Sequence, residues 1–316
     1  MDGSTALTQD LLKELRMKDL VFLQRVAQCR SLSAAASELR VTQPAASRWL
    51  RDLEQLFRAH LFTRDRTTGM QPTPLGALII DRSRALIADV SLLSSDLEAQ
   101  RTGRGAHLQL GVIPYVPTRL LEHLVSRLVS AHGMTVSLVE GATEPLVEAL
   151  RMQRLHGVIG RCGKRPPAGG LRQETLFTQA ACLILHAKQH SAQAPPKLSS
   201  LLRLRWVIPP KDSPTWQAVL DALSAAKLSP PLATVETAST KIVHALVSTH
   251  VDMVAVLPHD IGHEMQALGG VRAIPFPAPF RMPPVGLLAP ARHWEFSHLV
   301  ALRNELRSLV AHGQRS

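Results

Sequence analysis

The chain has 316 residues, 45% of them hydrophobic and 19% charged, which is apolar enough for two or three packed domains and argues against a disordered chain. Aromatics make up only 4%, with a single Tyr, which excludes an aromatic-rich surface for stacking single-stranded nucleic acid. The net charge is +11, yet residues 1–105 hold 15 basic against 12 acidic residues and 106–316 hold 21 against 13. Bulk charge therefore attracts polyanions without marking where they dock.

After an extension, 1–16, Leu20, Phe22, Leu23 and Val26 predict a first amphipathic helix. Ser31 can cap a second, with Ala34, Ala35, Ala36 and Leu39 as its small packing face, and Arg40-Val41 makes a short turn. Thr42 caps a third helix running from Gln43 to Arg58, with Pro44 in its opening turn. Two short helices joined by a tight turn, the second polar at its start, form the helix-turn-helix pattern. Ala46, Leu50, Leu53 and Phe57 follow the helical period and predict the buried face. Thr42, Gln43, Ala45, Ser47, Arg48 and Arg51 lie off that face. Gln suits adenine, Ala the thymine methyl, Ser and Thr phosphates, and Arg guanine or phosphate. Ser33 and Pro44 complete this candidate DNA-contacting set. Leu61–Arg66 and Gly69–Thr73 read as a hairpin, or wing, from which Arg64 and Arg66 approach the backbone or minor groove.

Thr73 and Pro74 open one long helix that meets no further Gly or Pro between Gly76 and Gly103. Ile79, Leu86 and Leu93 recur every seven residues, with Val90 and Leu97 four residues after two of them and Ser83 as a weak position. That is a dimerising seam or, more plainly, a core helix; the hinge Arg101-Thr-Gly-Arg-Gly105 favours the connector.

The remainder alternates strands and helices: strand 107–113, helix 118–131, strand 134–139, helix 143–155 and strand 157–160. A second set takes strand 206–208, helix 214–227, strand 232–236, helix 239–249 and strand 253–257. The chain returns through 271–274 and 285–288 to a last helix, 293–311, and the proline-rich piece 275–284 is a rigid loop. The repeated order predicts two α/β lobes with a cleft between them.

Phe22, Ser31-Leu-Ser-Ala-Ala-Ala36, Leu39, Val41-Thr-Gln-Pro-Ala-Ala-Ser-Arg48, Leu53-Glu54, Leu61-Phe-Thr-Arg64 and Pro72-Thr-Pro-Leu-Gly76 together resemble the winged-helix signature of LysR-type transcriptional regulators. The match is dense over 17–76, and the rest agrees in layout. Two departures stand out: Phe57-Arg-Ala59, where that family usually has a Gly, and Trp49, which is bulkier than usual. The resemblance implies an α+β multi-domain chain with a winged helix-turn-helix, 17–75, and a dimerising linker helix and hinge, 76–105. An effector-binding domain of two α/β lobes, 106–316, similar to periplasmic binding proteins, follows. It also implies an opening near Met17, which makes Met17 a candidate start.

The function so implied is a cytoplasmic, ligand-responsive regulator, without membrane attachment, that reads double-stranded promoter DNA as a homodimer or homotetramer. It would meet RNA polymerase if it activates. Its small-molecule effector would lie between the lobes, and their positive charge favours a carboxylate. Carried over residue by residue, the cleft set is Tyr115 and Thr118 in the loop 114–118, Thr143, Arg161, Ser213 and Trp216 in the loop 209–216, and Thr237 and Ser239. Plainer readings stand beside these: Thr143 and Ser239 as helix caps, Arg161 in a salt bridge between lobes, Trp216 in a core. Gly157 stands where the family often has Asp.

No apolar run reaches the roughly 18 residues of a membrane span, and Met1 to Arg16 lacks the apolar stretch of a secretory leader. Cys29, Cys162 and Cys182 are too few and too scattered for a disulfide framework or a cysteine zinc site, so a reducing compartment is expected. His259 and His263 are four apart, but Gly262 is expected to interrupt their helix and no second pair accompanies them, so neither metal nor cofactor is expected. No Gly-rich phosphate loop, Gly-x-Ser-x-Gly or paired-carboxylate motif points to an enzyme. Two rival readings remain at this point: a small-molecule binding protein that merely dimerises through its head, and a hydrolase using the His-rich lobe.

Overall fold

The computed structural model describes residues 3–65, 67–102, 105–163, 169–189, 197–277 and 282–313. Two compact units divide the chain, 1–98 and 99–316.

The first unit begins with α1 (Gly3–Glu14), a helix in the extension that the residue pattern does not announce. The helices α2 (Met17–Cys29), α3 (Leu32–Glu38) and α4 (Gln43–Leu56) follow. Their starts are set by side chains: Ser31 Oγ accepts from the Ala34 N–H at 3.3 Å, and Thr42 Oγ1 from the Ala45 N–H at 3.4 Å. Phe22, Leu23, Val26, Ala35, Ala46, Leu50 and Leu53 form the core, as their spacing predicts. Phe57 caps α4 at its end and is only half-buried. The strands β1 (Phe62–Asp65) and β2 (Gly69–Pro72) pair antiparallel as the wing. The helix α5 (Pro74–Thr102) starts where Thr73 Oγ1 accepts from the Gly76 N–H at 3.0 Å. Gly76 has to be glycine, because a Cβ there would run into the carbonyl oxygen of Leu61.

The turn out of α4 carries the first departure from the family pattern. Arg58 adopts φ +53°, the left-handed region in which a Cβ costs about 1–2 kcal/mol. Its guanidinium reaches Asp10 of α1 at 3.0 Å, an exposed pair that offsets little of that cost. Arg58→Gly is therefore expected to stabilise the protein by about 0.5–1 kcal/mol, read as a raised unfolding midpoint. A lowered midpoint would show that the Asp10 contact outweighs the backbone.

The second unit holds two five-stranded sheets. The first lobe contains β3 (His107–Val112), α6 (Thr118–Ser130), β4 (Thr135–Glu140), α7 (Thr143–Arg151), β5 (Gly157–Arg161) and β6 (Leu171–Phe177). The second contains β7 (Ala181–His186), α8 (Leu198–Leu201), β8 (Arg205–Ile208), α9 (Pro214–Ala225), β9 (Ala233–Glu236), α10 (Thr240–Thr249), β10 (Met253–Pro258), α11 (His259–Ala267) and β11 (Val271–Pro275). Then β12 (Val285–Pro290) returns to the first sheet, and α12 (Ser297–Gly313) covers it after a 3-10 turn at Ala291–His293. The sheet orders are β4-β3-β5-β12-β6 and β11-β7-β10-β8-β9. In each, three neighbouring strands run parallel, a fourth (β12 or β7) runs against them, and an edge strand (β6 or β11) pairs antiparallel with that fourth.

Several boundaries differ from expectation. The helix expected over 143–155 ends at Arg151, because Gln153 turns left-handed at φ +59°. The last helix starts at Ser297, after the 3-10 turn. Gly262 does not interrupt α11. It sits inside that helix, where a Cβ would collide with Cys182 Sγ on β7, so it serves helix-to-sheet packing. Burial pushes the Cys182 thiol up to about 12, which keeps it an inert packing group. No helix among the described residues is long and apolar enough to cross a membrane.

Candidate nucleic-acid interface and effector cleft

The polar side of α4 is open to solvent. Thr42, Gln43, Pro44, Ala45, Arg48 and Arg51 are exposed and Ser47 is half-buried, while Ala46, Leu50 and Leu53 on the opposite side are buried. Ser33, in the first turn of α3, is exposed beside them in sequence order. On the wing, Arg64 is exposed; Arg66 lies outside the described residues. The wing turn is held by Asp65, whose Oδ1 accepts from the N–H groups of Thr67 and Thr68 at 2.8 and 2.9 Å and from the Thr67 hydroxyl. These donors, the Thr67 hydroxyl first, keep the Asp65 carboxyl well below the usual carboxylate range.

Along α5, Leu86, Val90, Leu93 and Leu97 are 48–58% exposed, an apolar row without cover in the single chain. Ile79, the expected head of that seam, is instead partly buried against the winged-helix core, next to the fully packed Ile80. Ser83 is buried and donates its hydroxyl to the Ile79 carbonyl at 2.7 Å.

In the second unit the expected cleft residues lie at the carboxyl ends of the parallel strands, where open α/β sheets bind ligands. Tyr115 follows β3, Thr143 opens α7 after β4, and Arg161 ends β5. Thr143 Oγ1 accepts from the Arg161 N–H at 3.1 Å, so the two are joined. The Arg161 side chain is 6% exposed; its Nη1 donates to the Pro283 carbonyl at 2.8 Å, and Nε and Nη2 have no partner among the described residues. Burial lowers the guanidinium to about 10, and the nearby Tyr115 counters part of that shift. Burial raises the Tyr115 hydroxyl to about 12, so it stays protonated.

Thr118 is already engaged. Glu264 of α11 accepts from its N–H and its hydroxyl, each at 2.8 Å, so the start of α6 holds a carboxylate from the other lobe. In that second lobe Ser213 caps α9 by accepting from the Trp216 N–H at 3.2 Å. Ser239 caps α10 by accepting from the Ile242 N–H at 3.4 Å, and Thr237 Oγ1 accepts from the Ser239 N–H at 3.1 Å. Trp216 is packed in the core of this lobe. Two participants escape a reading of the sequence: Glu264, and Gln179 between β6 and β7, whose amide donates to the Tyr115 carbonyl at 3.0 Å. His259 and His263 bring their Nε2 atoms to 2.9 Å, and no group of three or more metal-ligating side chains is assembled among the described residues.

Two family models match the chain: the bacterial regulatory helix-turn-helix protein, lysR family, over residues 17–77, and the LysR substrate binding domain over residues 101–311. A similar protein is the HTH-type transcriptional regulator GalR of Pseudomonas putida, 26% identical over 288 residues, covering 90% of this chain and 72% of that protein. A full-length OxyR variant from Pseudomonas aeruginosa superposes with a TM-score of 0.63 at 22% identity, covering 93% of this chain and 95% of that one. Full-length CbnR, solved in complex with its target DNA, gives 0.61 at 19% identity over 93% and 100%. At such identities the two structures establish fold. Between them the family models span the winged unit and the two lobes, and the chain belongs to the LysR family of transcriptional regulators, non-enzymatic proteins with a DNA-binding helix-turn-helix and an effector-binding domain.

Proposed function

We propose that α4 enters the major groove of promoter DNA, with Gln43, Ala45, Ser47, Arg48 and Arg51 toward the bases, and Ser33, Thr42, Pro44, Arg64 and Arg66 around the backbone. Two chains pair along Leu86, Val90, Leu93 and Leu97, with Ile79 at the margin, and twofold symmetry sets two such helices on one site. A homodimer or a dimer of dimers acts in the cytoplasm and contacts RNA polymerase when it activates. The CbnR complex with target DNA supports the DNA reading.

The effector in this reading is a carboxylate between the lobes, anchored on Arg161. The observation that carries it is the buried guanidinium, two of whose N–H bearing nitrogens have no partner among the described residues. An uncompensated buried charge is costly, and Nε and Nη2 form the edge of a guanidinium that grips a carboxylate with two parallel hydrogen bonds. Tyr115 and Thr143 flank the anion; Ser213, Trp216, Thr237 and Ser239 border the cleft from the second lobe, and Thr118 joins only by releasing Glu264. Thermal unfolding with a panel of small carboxylic acids, each beside its neutral amide, tests this. A fitting acid at about 100 times its Kd should stabilise by about 2.7 kcal/mol. If amides stabilise as well as acids, the anionic reading is wrong.

A further inference from the structure

One buried carboxylate in the winged unit belongs neither to the DNA-facing set nor to the apolar core. Asp19, on the first turn of α2, is 6% exposed. Its Oδ2 accepts from the backbone N–H of Arg16 at 2.7 Å, and its Oδ1 accepts from the indole N–H of Trp49 at 2.7 Å. Trp49 stands on α4, with its ring stacked on Phe22 at a centroid distance of 4.3 Å and an interplanar angle of 11°. The Lys18 ammonium lies 5.8 Å from the same ring. A hollow of about 560 Å³ borders this group, and its lining includes Arg16, Lys18, Asp19, Trp49 and the DNA-facing Ala45 and Arg48.

Ala46, Leu50 and Leu53 hold α4 to the core by apolar packing, in which no single contact is directional. A short hydrogen bond to a carboxylate is directional and roughly twice as strong as a neutral one. Trp49 lies one turn after Ala45 on the same stripe and next to Arg48, so tying its indole fixes the angle at which Arg48 meets a base. The other half of the tie is the N–H of Arg16, the last residue of the extension.

We propose that Asp19 and Trp49 are positioning residues for DNA readout: the Asp19 carboxylate holds the Trp49 indole and thereby sets the roll of the recognition helix, with the extension completing the clamp through Arg16. This rests on α4 being the helix that reads DNA.

The test uses the full-length chain, a duplex it selects from a random library, and a scrambled duplex of equal length. Trp49→Phe keeps the stack on Phe22 and loses the donor; Asp19→Ala loses the acceptor; Asp19→Asn keeps an acceptor for the indole. Trp49→Phe and Asp19→Ala should each lower the selected-to-scrambled affinity ratio about tenfold, with scrambled binding unchanged, while Asp19→Asn retains most of the ratio. In protein carrying 15N-labelled tryptophan, the Trp49 indole resonance, identified by its loss in Trp49→Phe, should shift in Asp19→Asn. It should also move on binding the selected duplex and not the scrambled one. An unchanged ratio in Trp49→Phe, or an indole resonance blind to Asp19→Asn, overturns the proposal. Arg48→Ala separates the two ideas: if it too leaves the ratio intact, the recognition-helix reading is what fails. A parallel loss of scrambled and selected binding in folded variants also overturns it, since that marks general damage to the domain.

Discussion

The double variant Gln43→Ala, Arg48→Ala should lose most of its preference for the selected duplex over a scrambled one. Each side chain is exposed near the start of a capped helix, and a good bidentate contact to a base edge is worth about 1–3 kcal/mol of discrimination. Together they carry about 2–6 kcal/mol, a preference of roughly 30-fold to 20,000-fold. Because neither is buried, thermal stability should change by no more than about 0.5 kcal/mol, so binding and folding are read separately. Losing Arg48 should also reduce the salt dependence of scrambled-duplex binding by about one phosphate if its charge touches the backbone. Fluorescence anisotropy at several fixed salt concentrations measures both. A preserved preference would mean that α4 is not the reading element.

Arg161→Ala should remove the response to a stabilising carboxylate, with affinity weakened about 100-fold or more, since two charged hydrogen bonds at roughly 1.5–3 kcal/mol each are lost. The ligand-free variant should melt no more than slightly below the parent, because the substitution also relieves an uncompensated buried cation. Arg161→Lys keeps a charge without the paired N–H edge and should recover only part of the affinity. The pH dependence follows from the guanidinium. With its pKa lowered to about 10, Arg161 is charged in both neutral and mildly alkaline solution, so carboxylate binding should stay level from pH 7 to 9. Binding should fall as the pH passes about 10, because the cation is then lost. The Tyr115 hydroxyl, at about 12, adds no titration in that interval. Full carboxylate affinity in Arg161→Ala would move the anion site elsewhere.

The parts of this molecule legible in the residue string are those decided within one turn of chain. Ser31, Thr42 and Thr73 each accept the N–H three residues on, and Ala46, Leu50 and Leu53 are buried because helical geometry puts them on one side. What escapes detection depends on distant partners. A lone Asp at 19 says nothing of an indole at 49, and Glu264 carries no mark that it meets Thr118 on the facing lobe. Arg161 is visible as a candidate anion anchor, but its tie to the Pro283 carbonyl comes from the segment that leads into the strand returning late in the chain. Gly262 misleads because a glycine in a helix pattern signals a break when its neighbours are unknown. Cys182 beneath it supplies a packing reason instead. The strand β6 is hidden because it is an edge strand, with charged residues breaking its apolar alternation.

The return of β12 has a consequence for biosynthesis. That strand fills the gap between β5 and β6 in the middle of the first sheet, yet it leaves the ribosome only after every strand of the second lobe. Until it arrives, β5 and β6 carry bare backbone edges of the kind that join with other chains. Any truncation between 178 and 284 makes that condition permanent. The pace of translation across the second lobe therefore governs how long the nascent protein needs chaperone shelter, and codon changes there should alter soluble yield without altering a single amino acid.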